Sequence, residues 1–156
     1  MPIEIERKFL VDSFPQNEIL KSKMVKQGYL VNEKRQVIRV RSMNQHYFLT
    51  IKSNTKGLSR LEFEYQIPRE HAMKMFKHLC GPSIIKKTRH YIKHEGHTWE
   101  IDEFHGKNEG LIVAEIELES EDEKFDKPYW VGDEVSNDPR YYNMNLMSNP
   151  YRNWNK

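Results

Sequence analysis

The chain has 156 residues, of which 31% are charged and 12% aromatic, and its formal net charge is +2. This length predicts one domain over residues 1–156, and the aromatic content is not typical of a disordered chain. Acidic and basic residues are interspersed, which argues against a nucleic-acid partner, and no apolar run is long enough to span a membrane. The single cysteine excludes an internal disulfide framework and a cysteine-rich zinc site. Because charges begin at Glu4, no signal-peptide core is expected, and the predicted location is the cytoplasm.

The N-terminal segment, residues 3–10, has the alternation of a strand with one polar and one apolar face. In such a strand Glu4, Glu6 and Lys8 share the polar face. Two neighbouring carboxylates on one face repel each other, so this row indicates a bound metal, a phosphate or both. For this strand taken alone, a solvated sheet face is the alternative interpretation.

The rest of the chain alternates in the same way, apart from segments with helical spacing. Strands are predicted at residues 27–31, 36–41, 47–52, 58–67, 84–93, 99–104 and 111–119, with turns at 32–35, 42–45, 54–57 and 94–97. A helix is predicted from Pro68 to a stop at Gly81, with Ala72, Met75, Phe76 and Leu79 at helical spacing. Shorter helices are predicted at residues 16–24, with Ile19 and Leu20 directed inward, and at 120–123 and 140–147.

Like-signed charged residues recur in pairs, usually with an apolar residue between them. The acidic pairs are Glu4/Glu6, Glu62/Glu64, Glu100/Asp102 and Glu115/Glu117, and the basic set is Arg39/Arg41, Lys87/Arg89, Lys8 and Lys52. If the strands close into a barrel, these charges face one another across its lumen and need ions from outside to balance them. Carboxylates favour Mg²⁺ or Mn²⁺, and Arg and Lys favour phosphate oxygens. The pattern therefore predicts a tunnel for a metal-bound polyphosphate.

Three histidines, His90, His94 and His97, are spaced loosely like metal ligands. Two of them flank a glycine turn, and no cysteine or acidic partner is evident in the sequence. We therefore interpret this segment as a solvated hairpin and not as a zinc site.

The ordered charged motifs resemble those of the CYTH domain superfamily, the triphosphate tunnel metalloenzymes. Glu4-x-Glu6-x-Lys8 matches the Glu-x-Glu-x-Lys signature of that group. The later motifs follow in the same order: Ile38-Arg39-Val40-Arg41, Thr50-Ile51-Lys52, Glu62-Phe63-Glu64, Lys87-Thr88-Arg89, Ile101-Asp102 and Glu115-Ile116-Glu117. The similarity runs from residue 2 to residue 147, and the opening and tail segments are similar to the short, single-domain bacterial branch.

The resemblance implies an α+β fold, a closed eight-stranded antiparallel barrel with helices packed outside. It implies two Mg²⁺ or Mn²⁺ ions per site. The implied metal ligands are Glu4 and Glu6 with one or more of Glu62, Glu64, Asp102, Glu115 and Glu117. The residues implied to bind the triphosphate are Lys8, Arg39, Arg41, Lys52, Lys87 and Arg89. Glu4, Glu6 and Lys8 are implied to act in catalysis.

The leading functional hypothesis is a metal-dependent triphosphatase that releases orthophosphate from inorganic tripolyphosphate or a related triphosphate, such as ATP or thiamine triphosphate. A class IV-like adenylate cyclase, which converts ATP to cyclic AMP and pyrophosphate, shares the tunnel and is the alternative. A third hypothesis is a non-catalytic module that binds polyphosphate or nucleotides, and the intact carboxylate pairs argue against it. The sequence leaves open whether the protein forms a homodimer.

Overall fold

The structure, a computed structural model, describes residues 3–33 and 35–154. Nine strands are found in the described chain: β1 (Ile3–Val11), β2 (Lys21–Asn32), β3 (Gln36–Met43), β4 (His46–Ser53), β5 (Ser59–Gln66), β6 (Ile84–His94), β7 (His97–Phe104), β8 (Ile112–Glu117) and β9 (Val131–Glu134). Helix α1 spans Arg69–His78, and the shorter α2 spans Asn143–Leu146. Single turns of 3-10 helix lie at Gln16–Glu18, Gly106–Asn108, Pro139–Tyr141 and Tyr151–Asn153.

Eight of these strands close into an antiparallel barrel. Neighbouring strands follow the order β5-β4-β3-β2-β6-β7-β8-β1, and a short seam between residues 3–5 of β1 and residues 59–61 of β5 completes the circle. Strand β9 pairs with β1 beyond that seam, at Phe9 and Val11. The closed barrel predicted from the sequence is therefore confirmed, with β9 as an additional strand. Closure directs one face of every barrel strand into a common lumen.

The outward apolar side chains pack against the segments that cross the barrel. Phe9, Trp99 and Ile116 belong to one buried cluster, in which Trp130 and the half-buried Phe125 cover the strands. These residues come from strands and loops that are far apart in the sequence. Their burial fixes the outer side of β1, β7 and β8, and so fixes which of their residues face the lumen.

Helix α1 covers another part of the outer surface. It begins directly after Pro68, as the sequence predicts, and its buried residues Ala72 and Phe76 are one helical turn apart. Leu79, which was predicted on the same face, is exposed because the helix ends at His78. Both pack with Val40 of β3 and with Cys80. The helix therefore anchors the outer side of β3, whose inward side carries Arg39 and Arg41.

The C-terminal segment covers one end of the barrel. Tyr141 and Leu146 are buried in a cluster with the inward-facing Tyr29, Val37 and Ile85. We call residues 139–154 the C-terminal plug. The Nζ atom of Lys8 donates a hydrogen bond to the backbone carbonyl of Tyr141, at 3.1 Å, so Lys8 marks the end of the lumen that the plug closes.

Two of the short predicted helices are wrong. Residues 16–24 form one 3-10 turn and then the start of β2, because Lys21 to Gly28 pair with β6 in a continuous ladder that overrides local helix propensity. Ile19 is half-buried, as expected, but Leu20 is exposed. Residues 120–123 form a turn and not a helix.

The other departures are smaller. The helical stretch predicted at 140–147 is confirmed as a 3-10 turn followed by α2. Strand β9 was not predicted. Of the turn predicted at residues 32–35, Lys34 lies outside the described residues. In the part of the chain that the structure describes, no helix has the length and apolar character needed to cross a membrane.

Candidate active site

The charged pairs predicted from the alternation face the lumen. The register sets Lys8 opposite Glu115, Lys52 opposite Glu62 and Arg89 opposite Asp102. The Nζ atom of Lys52 on β4 also reaches Glu4 on β1, at 3.1 Å, although β5 lies between those strands in the sheet. A contact that skips a strand is made through the interior of the barrel, so these side chains occupy the lumen.

Glu4 is at the centre of an ionic cluster formed by β1, β4 and β5. Its carboxylate accepts hydrogen bonds from Lys52 and from Nε of Arg60, at 3.1 Å in each case. Burial alone would raise the pKa of Glu4, but a hydrogen bond with Glu62 and the charges of Lys52 and Arg60 hold it well below its usual range. Burial and the same hydrogen bond raise the pKa of Glu62 to about 7. Glu62 is therefore the member of this pair that holds a proton more readily.

Glu6 is a carboxylate of the lumen whose negative charge is not balanced by a nearby cation in the described chain. Within the described residues no Lys, Arg or His nitrogen lies within 4.0 Å of its oxygens, while Glu117 is its direct cross-strand partner. Burial, followed by the charges of Glu115 and Glu4, raises the pKa of Glu6 to about 8. The pKa of Glu117 is also raised, first by burial and then by Glu4. Negative charge is thus in excess along β1 and β8.

A second ionic cluster spans β6 and β7. Lys87 is fully buried, and its Nζ atom lies 2.6 Å from Asp102 Oδ2. Arg89 donates to both oxygens of Asp102, at 2.8 and 2.9 Å, and to Glu100 at 3.1 Å. Burial lowers the pKa of Lys87 to about 7. Burial opposes ionisation of Asp102, but the charges of Arg89 and Lys87 hold its pKa well below the usual range. Both carboxylate oxygens of Asp102 are therefore occupied by protein cations.

The two arginines of β3 differ in their partners. Arg39 is 4% exposed. Among the described residues, its Nε atom has no hydrogen-bond partner and no carboxylate lies within 4.0 Å of its guanidinium. Arg41 donates to the side-chain oxygen of Gln27. Burial, followed by the charges of Arg39 and Arg89, lowers the pKa of Arg41 to about 10. Positive charge is thus in excess along β3.

The structure brings most of the predicted site residues together, but Glu64 and Glu117 are exposed. Glu64 accepts a hydrogen bond from Thr50, at 3.0 Å. Sequence reasoning did not assign Arg60 or Glu100 to the site, although Arg60 has the same alternation as Glu62 and Glu64. Gln27 was not assigned either, because a lone glutamine in an apolar strand carries no chemical signal.

Two of the three discounted histidines, His90 and His97, have acidic partners that were not evident in the sequence. His97 Nε2 lies 2.6 Å from Glu123, and His90 lies between Ser22, at 2.6 Å, and Glu103, at 3.1 Å. In the part of the chain that the structure describes, no three His, Cys, Asp or Glu side chains already converge as a metal site. Several carboxylates of the lumen, among them Glu4, Asp102 and Glu115, lie instead beside lysines and arginines.

Comparison with known proteins agrees with this geometry. A family model described as the CYTH domain matches residues 2–143. A protein named inorganic triphosphatase from Acetivibrio thermocellus is 46% identical over 151 residues, which are 97% of this chain and 97% of that protein. A protein of the same name from Nitrosomonas europaea is 40% identical over 147 residues, which are 92% of this chain and 95% of that protein.

Solved structures agree as well. A crystal structure of an inorganic triphosphatase has a TM-score of 0.68 and 35% identity, and the match covers 92% of this chain and 93% of that one. The family model spans nearly the whole length, and it includes every charged motif that lines the lumen. The chain therefore belongs to the CYTH domain family.

Proposed function

We propose that this protein is a metal-dependent triphosphatase that hydrolyses inorganic tripolyphosphate and releases orthophosphate. The observation that carries the proposal is uncompensated charge of both signs in one lumen. Among the described residues, buried Arg39 has no carboxylate within 4.0 Å, and Glu6 has no lysine, arginine or histidine nitrogen within 4.0 Å and lies opposite Glu117. A polyphosphate would balance the first and divalent cations would balance the second. The names of the two similar proteins, at 46% and 40% identity, support the same reaction.

The cations of the lumen are proposed to bind the triphosphate. They are Lys8, Arg39, Arg41, Lys52, Lys87 and Arg89. Arg39 and Arg41 offer planar forks that match phosphate oxygens, whereas the lysines act as point charges. The low dielectric of a closed barrel strengthens each of these contacts. Lys8, held by the plug and by Glu115 at 3.7 Å, is proposed to act in catalysis at the closed end.

The carboxylates around β1 fit divalent cations. Glu4 and Glu62 both lie beside Lys52, and Glu6 lies opposite Glu117, so divalent cations bound there would relieve the repulsion between the carboxylates. We propose that Glu4, Glu6, Glu62, Glu115 and Glu117 hold two Mg²⁺ or Mn²⁺ ions, with Glu64 nearer the exposed end. When bound, such ions neutralise phosphate charge and activate the attacking water. Asp102 belongs to the predicted set, but its pairing with Lys87 and Arg89 favours a role in orienting those cations.

The test is phosphorus NMR of the purified protein with tripolyphosphate and, in parallel, with ATP, first in Mg²⁺ and then in Mn²⁺. We expect orthophosphate from tripolyphosphate. The double variant Glu4→Gln/Glu6→Gln should lose at least ~100-fold in kcat, because replacing even a residue that only orients a metal ligand costs about 10- to 100-fold. Turnover should fall more than substrate binding. Glu70→Gln, the same chemical change on the exposed face of α1, is the matched control.

The products separate the alternatives. Cyclic AMP and pyrophosphate from ATP, with tripolyphosphate untouched, would replace the triphosphatase by the cyclase. Tight binding of tripolyphosphate without turnover in either metal would favour the binding module. Thiamine triphosphate is the next substrate to test if neither compound reacts. A homodimer stays a prediction that light scattering tests, and the proposal places the reaction in the cytoplasm, as the sequence predicts.

A further inference from the structure

Gln27 of β2 is fully buried in the lumen, although the chemistry proposed above makes no use of it. Its side-chain oxygen accepts hydrogen bonds from Nε and Nη2 of Arg41, at 3.3 and 3.2 Å. Its side-chain nitrogen donates a hydrogen bond to the hydroxyl of Tyr29, at 2.9 Å. One amide thus joins a proposed phosphate-binding cation to a tyrosine two residues further along the strand.

The three side chains fix the direction of this hydrogen-bond relay. A guanidinium group has donors and no acceptor, so the oxygen of Gln27 must face Arg41 and its NH₂ group must face Tyr29. The Tyr29 oxygen is therefore an acceptor, and its own proton remains to be donated. Among the described residues, no acceptor is hydrogen-bonded to that proton.

The Tyr29 hydroxyl lies among the cations of the lumen. Tyr29 is the cross-strand partner of Arg39, and Gln27 joins its hydroxyl to Arg41. Its ring is buried in the cluster that includes the C-terminal plug, which limits its rotation. An anion bound by those arginines would bring an acceptor to the hydroxyl.

We infer that Gln27 is a positioning residue that directs the Tyr29 hydroxyl proton towards a phosphate oxygen of the substrate while it holds Arg41 in place. This inference rests on the proposed triphosphatase function. Tyr29 then adds a neutral donor to a site that otherwise binds phosphate through charge, and Gln27 determines that the tyrosine donates and does not accept.

A substitution that reverses the relay tests the inference. Gln27→Glu keeps the side-chain volume and the acceptor for Arg41, but its carboxylate would accept the proton of Tyr29. We expect kcat/KM for tripolyphosphate to fall about 10- to 100-fold in Tyr29→Phe, the loss of one hydrogen bond to a charged group, and to fall to a similar extent in Gln27→Glu. Gln36→Glu, the same change at an exposed position of β3, is the matched control.

The double variant Gln27→Glu/Tyr29→Phe shows whether Gln27 acts by directing the Tyr29 hydroxyl or independently of it. We expect its loss in kcat/KM to be smaller than the product of the two single losses, because a misdirected hydroxyl cannot matter where the hydroxyl is absent. The same comparison of wild type, single variants and double variant is repeated with Gln27→Met in place of Gln27→Glu. Methionine removes the donor to Tyr29 without adding charge. Thermal unfolding of each variant shows that it is folded.

Two results would overturn the inference: wild-type activity in Gln27→Glu, or losses that multiply in both comparisons. Either result, obtained with active wild-type protein, would leave the triphosphatase proposal intact. A wild-type protein that releases no orthophosphate in the same assay would instead remove the proposed function.

Discussion

Arg39 and Arg89 are two arginines of one barrel that are almost equally buried, at 4% and 6% exposed. Their partners differ. Arg89 is bound by Asp102 and Glu100, whereas the Nε atom of Arg39 has no hydrogen-bond partner in the part of the chain that the structure describes. Replacement by methionine keeps a long unbranched side chain and removes the charge in each case. We expect Arg39→Met and Arg89→Met to change the stability of the ligand-free protein in opposite directions.

The magnitudes follow from those partners. A buried donor without an acceptor costs about 1–3 kcal/mol, so Arg39→Met should raise the free energy of unfolding by about that amount. Removing one member of a buried ion pair costs about 3–5 kcal/mol, so Arg89→Met should lower it by up to that amount. Both variants should lose about 10- to 100-fold in kcat/KM for tripolyphosphate, since each removes a charge-assisted bond to phosphate.

Urea unfolding without metal or phosphate measures the first quantity, and orthophosphate release measures the second. Tripolyphosphate should protect the wild-type protein against unfolding more than it protects Arg39→Met, because a ligand stabilises in proportion to its affinity. If Arg39→Met were destabilised as strongly as Arg89→Met, Arg39 would have a structural partner and the argument for an anion at that position would fail. Unchanged kcat/KM in a stabilised Arg39→Met would refute its role in substrate binding.

Two other predictions concern the pH dependence and the packing. The pKa of Glu6 is about 8 in the folded protein, against an ordinary value of 4.5, so the folded state binds more protons than the unfolded state between these values. The stability of the metal-free protein should therefore fall as the pH rises from about 5 to 7. Urea midpoints across that range should show the fall, Glu6→Gln should reduce it, and a stability that rises with pH would contradict the assignment. A Cβ atom at Gly28 would lie 2.6 Å from Cys80 Sγ, so Gly28→Ala should lower the free energy of unfolding by about 1–3 kcal/mol. Urea unfolding measures this change. Equal urea midpoints for the variant and the wild type would count against the close packing of β2 on Cys80.

The alternating charges were sufficient to predict which side chains share a face, and the resemblance to the CYTH superfamily supplied the closed barrel. A row such as Glu4, Glu6 and Lys8 has few stable environments, and the same alternation in Arg39/Arg41 and Glu115/Glu117 points to one shared interior. Residues without a charge pattern could not be placed this way. Gln27 is chemically unremarkable in the sequence, and its importance arises from the register that sets Arg41 beside it.

The wrong helix at residues 16–24 has a related cause. Its local composition suits a helix, but residues 21–28 also provide the hydrogen-bonding partner that β6 requires. Such a long-range ladder is not visible in a local window. Strand β9 was missed for the same reason. It is short, it follows an irregular segment, and its contacts with β1, such as Arg7 with Glu134, span 127 positions of sequence.

The position of β1 in the barrel has a consequence for the order of folding. This first strand carries Glu4, Glu6 and Lys8, yet all its neighbours, β5, β8 and β9, come much later in the chain. Contacts between distant segments form late because loop closure is costly. The hairpins formed by β2 to β5 and by β6 to β8 can therefore assemble before β1 pairs with the sheet. During synthesis, β1 would be made before β5, β8 and β9 but would be among the last strands to pair. In a partly folded or prematurely ended chain, Glu4 and Glu6 would therefore not be placed beside the carboxylates of β5 and β8. Catalytic competence would arise only when the whole barrel has closed.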